Sequence, residues 1–396
     1  MRGHQVTVMC ARRGYDNADL RFPKRERWNE IEIIRLPSMS LGKTSRWRRG
    51  LNFASFSVAA ALRLMLARSQ DTVIALTSPP LISGLASVFT RVKGGRLIFW
   101  VMDLNPDEAI AAGWLKQKSL LTKLLASISE SSMRHSEKII ALDRFMKERI
   151  VAKGISDEKI EVISPATDDA VNYDETGREA FRLRHGLAEK FVVMYAGNHS
   201  PCHPLDTLIG AARRLKARDD IAFVFVGGGS EQIKVKEFAE TNQLKNIHCL
   251  PYQPQAQLAA MLSAGDLQVV IMGEAFRGIV HPSKIYNILA IGSPFLYIGP
   301  TPSHVTDIIS NLPEQRQASS AQPGAVGTVV KSICQSSERW FSKHGGVARF
   351  ASRPGSTLPQ FIALIESAGQ ETIAQVDALC QKPDRQGGLA GQPSPP

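Results

Sequence analysis

Cysteine is scarce in this sequence, and the five cysteines among its 396 residues show no paired spacing. They are Cys10, Cys202, Cys249, Cys334 and Cys380. This pattern indicates neither a disulfide framework nor a zinc site, and it fits a reducing cytosol. The sequence also lacks any apolar run near the ~18 residues of a membrane-spanning helix, and its N-terminus lacks the apolar core of a signal peptide. We therefore expect a cytoplasmic protein that is soluble or binds peripherally to the inner face of the cell membrane.

Positive charge is abundant and unevenly distributed. The net charge is +11, and residues 1–50 hold twelve Lys or Arg against five Asp or Glu. The densest part, from Lys43 to Arg49, precedes an apolar, helix-like stretch from Leu51 to Leu66, and this arrangement favours an anionic membrane surface. A solvated loop before a core helix fits the same pattern. We expect no nucleic-acid partner, because no helix-turn-helix, zinc finger or aromatic stacking platform accompanies the charge.

Strand-like apolar runs alternate with helical stretches, which predicts an α/β fold with parallel sheets. Residues 1–167 are predicted to form one doubly wound domain, and residues 189–335 a second one. The strands expected in the first domain are His4–Cys10, Ile31–Leu36, Thr72–Thr77, Arg96–Met102, Lys138–Leu142 and Lys159–Ser164. Those expected in the second are Phe191–Tyr195, Ala222–Val226, Asn246–Leu250, Leu267–Met272 and Phe295–Ile298.

The remaining segments are predicted to be connections and ends. Residues 168–188 are polar and read as a linker. Residues 336–368 are expected to form a helical closing segment that packs across both domains through its aromatic residues Trp340, Phe341, Phe350 and Phe361. Residues 369–396 are rich in Gly and Pro, which predicts a mostly disordered tail. At the other end, Gly3 resembles a helix-ending glycine and His4 begins a strand, so we expect that the first strand-turn-helix unit of a doubly wound domain is missing.

The segment from Gly273 to Pro300 contains a lysine at an electrostatically unfavourable position. Its helix is predicted to open with Pro282, which places Lys284 in the first turn. A cation there loses a few tenths of a kcal/mol unless a negative ligand lies between it and the helix. A phosphate group would reconcile the two positive charges, so we predict an anion site at Lys284. The alternative is that Lys284 simply extends into water.

Loops that follow strands are the expected ligand sites, because ligands of open α/β sheets lie beyond the carboxyl ends of the strands. After the strand ending at Tyr195, Gly197 permits close backbone approach, and His199 and His203 can hydrogen-bond an oxyanion or a sugar. A zinc site at His199, Cys202 and His203 is weakly supported, because the spacing supplies no fourth ligand.

A triple glycine, Gly227 to Gly229, follows another predicted strand. It suits close packing or a backbone that faces a phosphate, but it matches neither the dinucleotide fingerprint nor the P-loop.

Carboxylates follow the strand that ends at Met102. Asp103, Asp107 and Glu108, together with Asn105, are predicted to face the cleft and to serve acceptor binding or acid/base chemistry. The alternative is local: Asn105 or Asp107 caps the next helix, and Asp103 satisfies a backbone turn.

With these segments assembled, the sequence resembles the retaining glycosyltransferases of family 4, particularly the bacterial type grouped with colanic acid and lipopolysaccharide enzymes. The resemblance covers about residues 1–365. It rests on WVMDLNPDEAIAAGW (100–114), YAGNHSPCHPLDTL (195–208), FVGGGS (225–230) and HPSKIYNILAIGSP (281–294). It implies a GT-B fold, in which two Rossmann-like domains face each other across a cleft, with the nucleotide sugar on the C-terminal domain and the acceptor on the N-terminal one.

The resemblance also implies roles for single residues. Lys284 would neutralise the donor diphosphate. Asp103, selected above for its place at a strand end, is the second catalytic candidate. Tyr252 would border the base. Backbone N–H groups of Gly278, Ile279 and Val280 would face the sugar. The further donor-side candidates are Gly197, Asn198, His199, Glu274, Arg277, Ser283 and Asn287.

Two glutamates that the family often carries around this helix are replaced here. The matching positions are Ile279 and Asn287. Asn287 can still hydrogen-bond a ribose hydroxyl, whereas Ile279 cannot bond a sugar. We therefore expect the sugar contact to come from the main chain, Glu274 or Arg277.

The expected activity is transfer of a sugar from a nucleotide-diphosphate donor to a lipid-linked or saccharide acceptor, with retention of configuration and without a metal or other cofactor. Two alternatives remain open. One is a nucleotide-sugar epimerase on the same fold, and the other is a non-catalytic protein that binds a nucleotide sugar.

Overall fold

The structure is a computed structural model that describes residues 3–13, 21–39, 41, 46–165, 171–313, 317–342 and 357–366. The expected disordered tail at 369–396 and Phe350 lie outside these residues.

The strands of the N-terminal domain form two sheets. They are β1 (Thr7–Ala11), β2 (Arg25–Trp28), β3 (Ile31–Leu36), β4 (Thr72–Ala75), β5 (Arg96–Trp100), β6 (Lys138–Ala141) and β7 (Ile160–Val162). The first three pair in the order β1-β3-β2, with β2 antiparallel, and the other four pair in parallel in the order β4-β5-β6-β7. The predicted strand positions are confirmed. A single doubly wound sheet was expected for this domain, but the described residues form two sheets, one of β1 to β3 and one of β4 to β7.

Helices cover the two N-terminal sheets and connect them. They are α1 (Arg46–Met65), α2 (Ile82–Lys93), α3 (Asp107–Ala111), α4 (Leu120–His135) and α5 (Arg144–Ala152). Phe56 and Ala60 of α1 pack on Ile34 and Leu36 of β3, and Ile82 of α2 packs against the same cluster. The apolar stretch after the basic segment is therefore a helix that packs through one side.

The C-terminal domain is built on one parallel sheet of six strands. The strands are β8 (Phe191–Asn198), β9 (Ile221–Gly228), β10 (Ile247–Leu250), β11 (Leu267–Ile271), β12 (Phe295–Ile298) and β13 (Ala318–Ala321), in the order β10-β9-β8-β11-β12-β13. Side chains along β8 alternate between two apolar cores, Val193 and Tyr195 facing one and Val192 and Met194 the other. The chain order reverses between β8 and β11, and a crevice at such a point is where doubly wound sheets bind ligands.

Helices flank this sheet on both faces. They are α6 (Glu175–Arg184), α7 (Asp206–Arg214), α8 (Ser230–Thr241), α9 (Leu258–Ser263), α10 (Lys284–Ala290), α11 (His304–Ser310) and α12 (Val326–Ser342). The presence of α6 corrects the prediction of a linker at 168–188. Arg178 and Arg182 of this helix are buried because both donate to Asp266, at 2.7 Å and 2.8 Å.

The closing segment contacts both domains, as predicted. Trp340 of α12 packs on Phe191 of the C-terminal domain, with ring centroids 6.0 Å apart. Phe361, in a helical segment at 358–366, packs on Trp100 of the N-terminal domain at 4.7 Å. Across the described ranges, no helix combines the length and the apolar character needed to span a membrane.

The two domains touch directly. One continuous apolar cluster contains Leu104 and Met146 from the N-terminal domain and Ile279 and Ile285 from the C-terminal domain. The amide of Leu104 donates to the carbonyl of Ile279 at 2.9 Å, so the contact also includes backbone hydrogen bonding.

Candidate functional site

The glycine run after β9 allows two strand ends to pack closely. Gly227 pairs with Gly197 and Gly228 with Asn198 across β8 and β9. A Cβ at Gly227, whose φ is +138°, would overlap the carbonyl oxygen of Gly197. The close-packing interpretation of the triple glycine is therefore confirmed at Gly227. Asn198 stays exposed at the end of β8, where the crevice opens.

The histidines after β8 are held by backbone carbonyls. His199 is fully buried and its Nδ1 lies 2.9 Å from the carbonyl oxygen of Gly197. Burial, together with the nearby Lys284 charge, lowers the pKa of His199 to about 4, so the ring is neutral. Since Nδ1 then donates to the carbonyl, Nε2 is an acceptor; it is buried and has no partner in the described part of the chain. Such an atom fits a ligand hydroxyl and not an oxyanion.

The neighbouring groups do not form a zinc site. His203 uses Nδ1 for the carbonyl of Ile271 at 2.7 Å, and burial lowers its pKa to about 3. Burial, with the charge of Glu108, raises the pKa of Cys202 to about 12, so this group is a thiol. Within the described residues, these side chains do not bring their ligand atoms together as a metal site requires.

Lys284 presents an isolated positive charge. Its Nζ is shut off from solvent and has no hydrogen-bond partner among the residues that the structure describes, although the residue as a whole is only half-buried. Nζ lies 3.6 Å from the centroid of the Tyr195 ring. A Cβ at Gly197 would lie 3.3 Å from it, so the ammonium faces the end of β8. Burial lowers the pKa of Lys284 from its ordinary value of 10.5 to about 7.

The helix around Lys284 differs from the sequence prediction. α10 begins at Lys284 and has seven residues, with Ser283 as its N-cap residue and Pro282 outside the helix. So short a helix adds little dipole, and the expected anion site therefore depends on the ammonium itself. Asn287, in the same helix, is half-buried.

The segment expected to face the sugar is used for packing. The amides of Ile279 and Val280 both donate to the carbonyl of Phe276, at 2.9 Å and 3.1 Å. A Cβ at Gly278, whose φ is +69°, would lie 2.5 Å from the carbonyl oxygen of Phe145 in the other domain. The prediction that these N–H groups are free for a sugar is corrected, at least for Ile279 and Val280, because the turn uses them internally.

The remaining donor-side candidates occupy two places. Tyr252 is exposed, and its hydroxyl donates to the carbonyl of Gly228 at 3.2 Å, beside the end of β9. Arg277 is held at the domain contact, since its carbonyl accepts from Arg149 at 2.6 Å. Glu274 and Ser283 are exposed.

Two of the acceptor-side carboxylates, Asp107 and Glu108, are held by neighbouring side chains. Asp107 is held by Lys153, whose Nζ lies 2.9 Å from both carboxylate oxygens. Glu108 accepts from the Cys202 thiol of the other domain at 3.7 Å. The N-cap residue of α3 is Pro106, without a side-chain hydrogen bond, so capping by Asn105 or Asp107 is not observed.

Asp103 is the perturbed carboxyl group of this loop. Burial, and then the charge of Glu108, raises its pKa to about 7. Its backbone pairs with Val280 of the other domain, which places it at the cleft. Asp103 and Asn105 also line a cavity of about 100 Å³ whose other walls are mainly apolar, including Phe99, Leu104 and Leu115.

A cluster that sequence reasoning missed lies at the same domain contact. Asp143, His281 and His304 are all buried, with their ligand atoms within 4.8 Å of one another. Asp143 follows β6, so the rule of searching strand-end loops could have found it. The two histidines join it only through the tertiary fold.

Comparisons with known proteins agree with this architecture. The family described as "Glycosyl transferase 4-like domain" matches residues 1–166, and "Glycosyl transferases group 1" matches residues 177–283. The putative colanic acid biosynthesis glycosyl transferase WcaI of Escherichia coli is 25% identical over 379 residues, which cover 91% of each chain. The probable glycosyltransferase WbjE of Pseudomonas aeruginosa is 24% identical over 295 residues, 74% of this chain and 72% of that one.

A solved structure has the same fold. HepE of Anabaena, crystallised in complex with UDP and glucose, superposes with a TM-score of 0.61 at 13% identity, covering 88% of this chain and 86% of HepE.

Proposed function

Because the chain belongs to the GT-B glycosyltransferases, we propose that it moves a sugar from a nucleoside-diphosphate donor to a saccharide or lipid-linked acceptor during cell-envelope polysaccharide synthesis. The sugar would be transferred with retention of configuration. The pathway is suggested by WcaI, whose name assigns it to colanic acid biosynthesis. The donor class is suggested by HepE, which was solved with UDP and glucose.

The observation that carries this proposal is the buried ammonium of Lys284 at the switch point of the C-terminal sheet. A buried charge without a partner is unfavourable, so such groups persist where a ligand supplies the opposite charge. Within the described ranges Nζ has no hydrogen-bond partner, and it lies beside Gly197, where a backbone without a side chain admits a close approach. The diphosphate of the donor would supply the missing negative charge.

Lys284 would act during bond cleavage. Negative charge grows on the diphosphate as the glycosidic bond breaks, and a fixed cation in a site without water stabilises that charge strongly, by about 3 kcal/mol for one well-placed group. The diphosphate would also raise the pKa of the amine, which burial lowers to about 7, and so keep it protonated.

Asp103 would serve the acceptor from the opposite domain. Its pKa of about 7 lies near the operating pH, as expected for a group that accepts a proton from an attacking hydroxyl. Glu108 maintains this value by its charge, and its contact with Cys202 keeps it at the domain contact. The apolar cavity beside Asp103 would border the acceptor.

The residue at position 279 cannot supply the hydrogen bond to the donor sugar. Ile279 is 3% exposed and belongs to the apolar cluster between the domains. It offers no hydrogen bond from its side chain, and its amide is already used. Glu274, which is exposed on the preceding turn, and the free Nε2 of His199 are the polar groups that would contact sugar or ribose hydroxyls.

Peripheral membrane binding is part of the proposal, and α1 supports it. Five large apolar side chains of this helix are each at least 44% exposed: Trp47, Leu51, Val58, Leu62 and Met65. They are four, seven, four and three positions apart, so at 3.6 residues per turn they lie on one face. Arg48, also exposed, stacks over the Trp47 ring at 5.4 Å and adds positive charge next to this stripe. An anionic lipid surface matches both the stripe and the charge.

The proposal is tested by radiolabelled UDP-, GDP- and TDP-sugars incubated with the purified enzyme, with and without a lipid extract of a polysaccharide-producing bacterium. We expect label to enter the lipid or saccharide fraction only with the wild-type enzyme, to be lost with Lys284→Met, and the anomeric configuration of the product to match that of the donor by NMR. An epimerised sugar formed from the donor alone would contradict transferase activity, as would donor binding without any transfer.

A further inference from the structure

A buried polar cluster joins the two domains next to the donor site. Asp143 belongs to the N-terminal domain, where its carboxylate caps α5 by accepting from the amide of Met146 at 2.9 Å. His281 and His304 belong to the C-terminal domain. Nδ1 of His281 lies 2.7 Å from Oδ2 of Asp143, and Nδ1 of His304 lies 3.8 Å from the same oxygen.

The geometry of this cluster is that of a hydrogen bond and not of a metal site. A zinc ion bound to both groups would hold the two ligand atoms ~3.3 Å apart, given bonds of ~2.0 Å and tetrahedral angles. The 2.7 Å between His281 and Asp143 leaves no room for an ion. The imidazole rings of His281 and His304 are stacked with centroids 4.0 Å apart, so His304 packs over His281.

Both ring nitrogens of His281 are engaged. Nδ1 faces the Asp143 carboxylate, and Nε2 lies 2.8 Å from the hydroxyl of Tyr286. Burial raises the pKa of Asp143, but the bond to His281 and the charges of His281 and His304 outweigh it, so the pKa is lowered and the carboxylate stays ionised. An ionised acceptor places a proton on Nδ1 of His281, and Nε2 pairs with the Tyr286 hydroxyl.

This chain of contacts runs from Asp143 through His281 to Tyr286, and Lys284 lies between the last two residues in the sequence. His281 is three residues before Lys284, and Tyr286 is two residues after it, in α10. The His281–Tyr286 bond therefore closes a short loop around the residue whose ammonium faces the crevice. Asp143 is the group that holds this loop from the opposite domain.

We propose that Asp143 is a positioning residue, which orients the turn bearing Lys284 toward the diphosphate when the two domains are in contact. The inference rests on the proposed function, because it assigns the diphosphate as the ligand of Lys284. It adds a residue of the acceptor domain to the donor site. Domain contact and diphosphate binding would then stabilise each other.

The test compares Asp143→Ser with Asp307→Asn. Serine keeps an oxygen that can cap α5 but removes the carboxylate from His281. Asp307 forms an exposed ion pair with Arg144 at 2.6 Å across the same domain contact, without a link to Lys284, and provides the control. A panel of UDP, GDP and TDP first identifies the nucleoside diphosphate that the wild-type chain binds. Calorimetry then measures the affinity of each variant for this nucleoside diphosphate. NMR titration measures the affinity of each variant for the matching nucleoside.

We expect Asp143→Ser to bind the nucleoside diphosphate about tenfold more weakly, which corresponds to about 1.4 kcal/mol, and to bind the nucleoside as the wild type does. Asp307→Asn should match the wild type with both ligands. Equal diphosphate affinity in Asp143→Ser and wild type overturns the inference, and so does a parallel loss with both ligands, which would indicate a structural role.

A second variant keeps the inference testable if Asp143→Ser does not fold. Tyr286→Phe removes the hydroxyl that pairs with Nε2 of His281 and creates no cavity. The affinity for the nucleoside diphosphate should again fall, while the affinity for the nucleoside should stay unchanged. Unchanged affinity for both ligands in this variant contradicts the inference. If the wild-type chain binds none of the nucleoside diphosphates, the proposed function fails first, and the role of Asp143 fails with it.

Discussion

Replacing Lys284 with methionine should stabilise the ligand-free protein while abolishing its activity. Methionine has nearly the length and volume of lysine, so the substitution removes the ammonium without leaving a cavity. The ammonium is buried without a hydrogen-bond partner from any residue that the structure describes. Most substitutions at buried positions destabilise a protein, and the opposite sign is therefore informative.

The magnitude follows from the pKa of Lys284, which burial lowers from 10.5 to about 7. One pKa unit corresponds to 1.36 kcal/mol, so at pH 7 the buried amine is unfavourable by about 4 kcal/mol relative to an exposed lysine. The attraction between the ammonium and Tyr195, about 1 to 2 kcal/mol, is lost in the variant. A net gain of about 2 to 3 kcal/mol remains, and for a domain of this size it should raise Tm by about 5 °C.

The stability gained by Lys284→Met should decrease as the pH rises from 7 to 9. Because the pKa of the folded-state amine is below that of an unfolded lysine, the folded protein binds fewer protons between pH 7 and 10.5. The wild-type stability therefore rises with pH across this window, and the penalty at pH 9 is only about 2 kcal/mol. The Tm difference between Lys284→Met and the wild type should therefore be clearly smaller at pH 9 than at pH 7.

Thermal unfolding of the two proteins, with and without the nucleoside diphosphate, measures these differences. Lys245→Met, at an exposed position of the same domain, is the matched control and should show no pH-dependent gain. The diphosphate should raise the Tm of the wild type and leave that of Lys284→Met unchanged. A variant that is less stable than the wild type at both pH values, or that is still stabilised by the diphosphate, would refute the reasoning.

Three further outcomes are expected. Asp103→Asn should lower the transfer rate by about 100-fold or more and remove the rise in rate near pH 7 that the raised pKa of Asp103 predicts; an unchanged rate-against-pH profile would exclude Asp103 as the base. Gly227→Ala should lower the unfolding free energy by about 3 kcal/mol or more in urea titrations, because its Cβ would overlap a carbonyl of β8, whereas Gly50→Ala in α1, with open space around it, should not. The double variant Val58→Ser/Leu62→Ser should bind vesicles containing phosphatidylglycerol at least tenfold more weakly in sedimentation assays, while Val88→Ser/Val92→Ser, exposed valines of α2, should bind normally.

The sequence was sufficient for most of the fold because parallel strands leave a local signal. The run Phe191–Tyr195 is apolar at every position, as a strand covered on both faces must be, and the structure buries all five side chains. Helix α6 (Glu175–Arg184), which lies in the segment predicted to be a linker, was missed for the opposite reason. Its Arg178 and Arg182 read as surface residues, and they are buried only because Asp266, more than eighty positions later in the chain, accepts from both.

Sequence-based prediction of the site was limited in the same way. Lys284 was found because its place in a predicted first turn was unfavourable, although the seven-residue α10 makes burial, and not the helix dipole, the main reason for its altered pKa. The amides at Ile279 and Val280 could not be assigned from sequence, since whether they face a ligand or a turn depends on Phe276. Asp143 and His281 are 138 positions apart, and no local pattern links them.

The two ionisable groups at the cleft, Lys284 and Asp103, are brought to nearly the same pKa by the same cause acting on opposite charges. Burial lowers one pKa and raises the other, so each is about 7. Each group is therefore held in a state that is unfavourable for folding and useful for reaction: an amine ready to be charged by an arriving diphosphate, and a carboxyl group ready to exchange a proton with an acceptor. A natural sequence retains such groups only where a ligand compensates them. It follows that the substitution expected to make the empty protein more stable, Lys284→Met, is also the one expected to make it inactive.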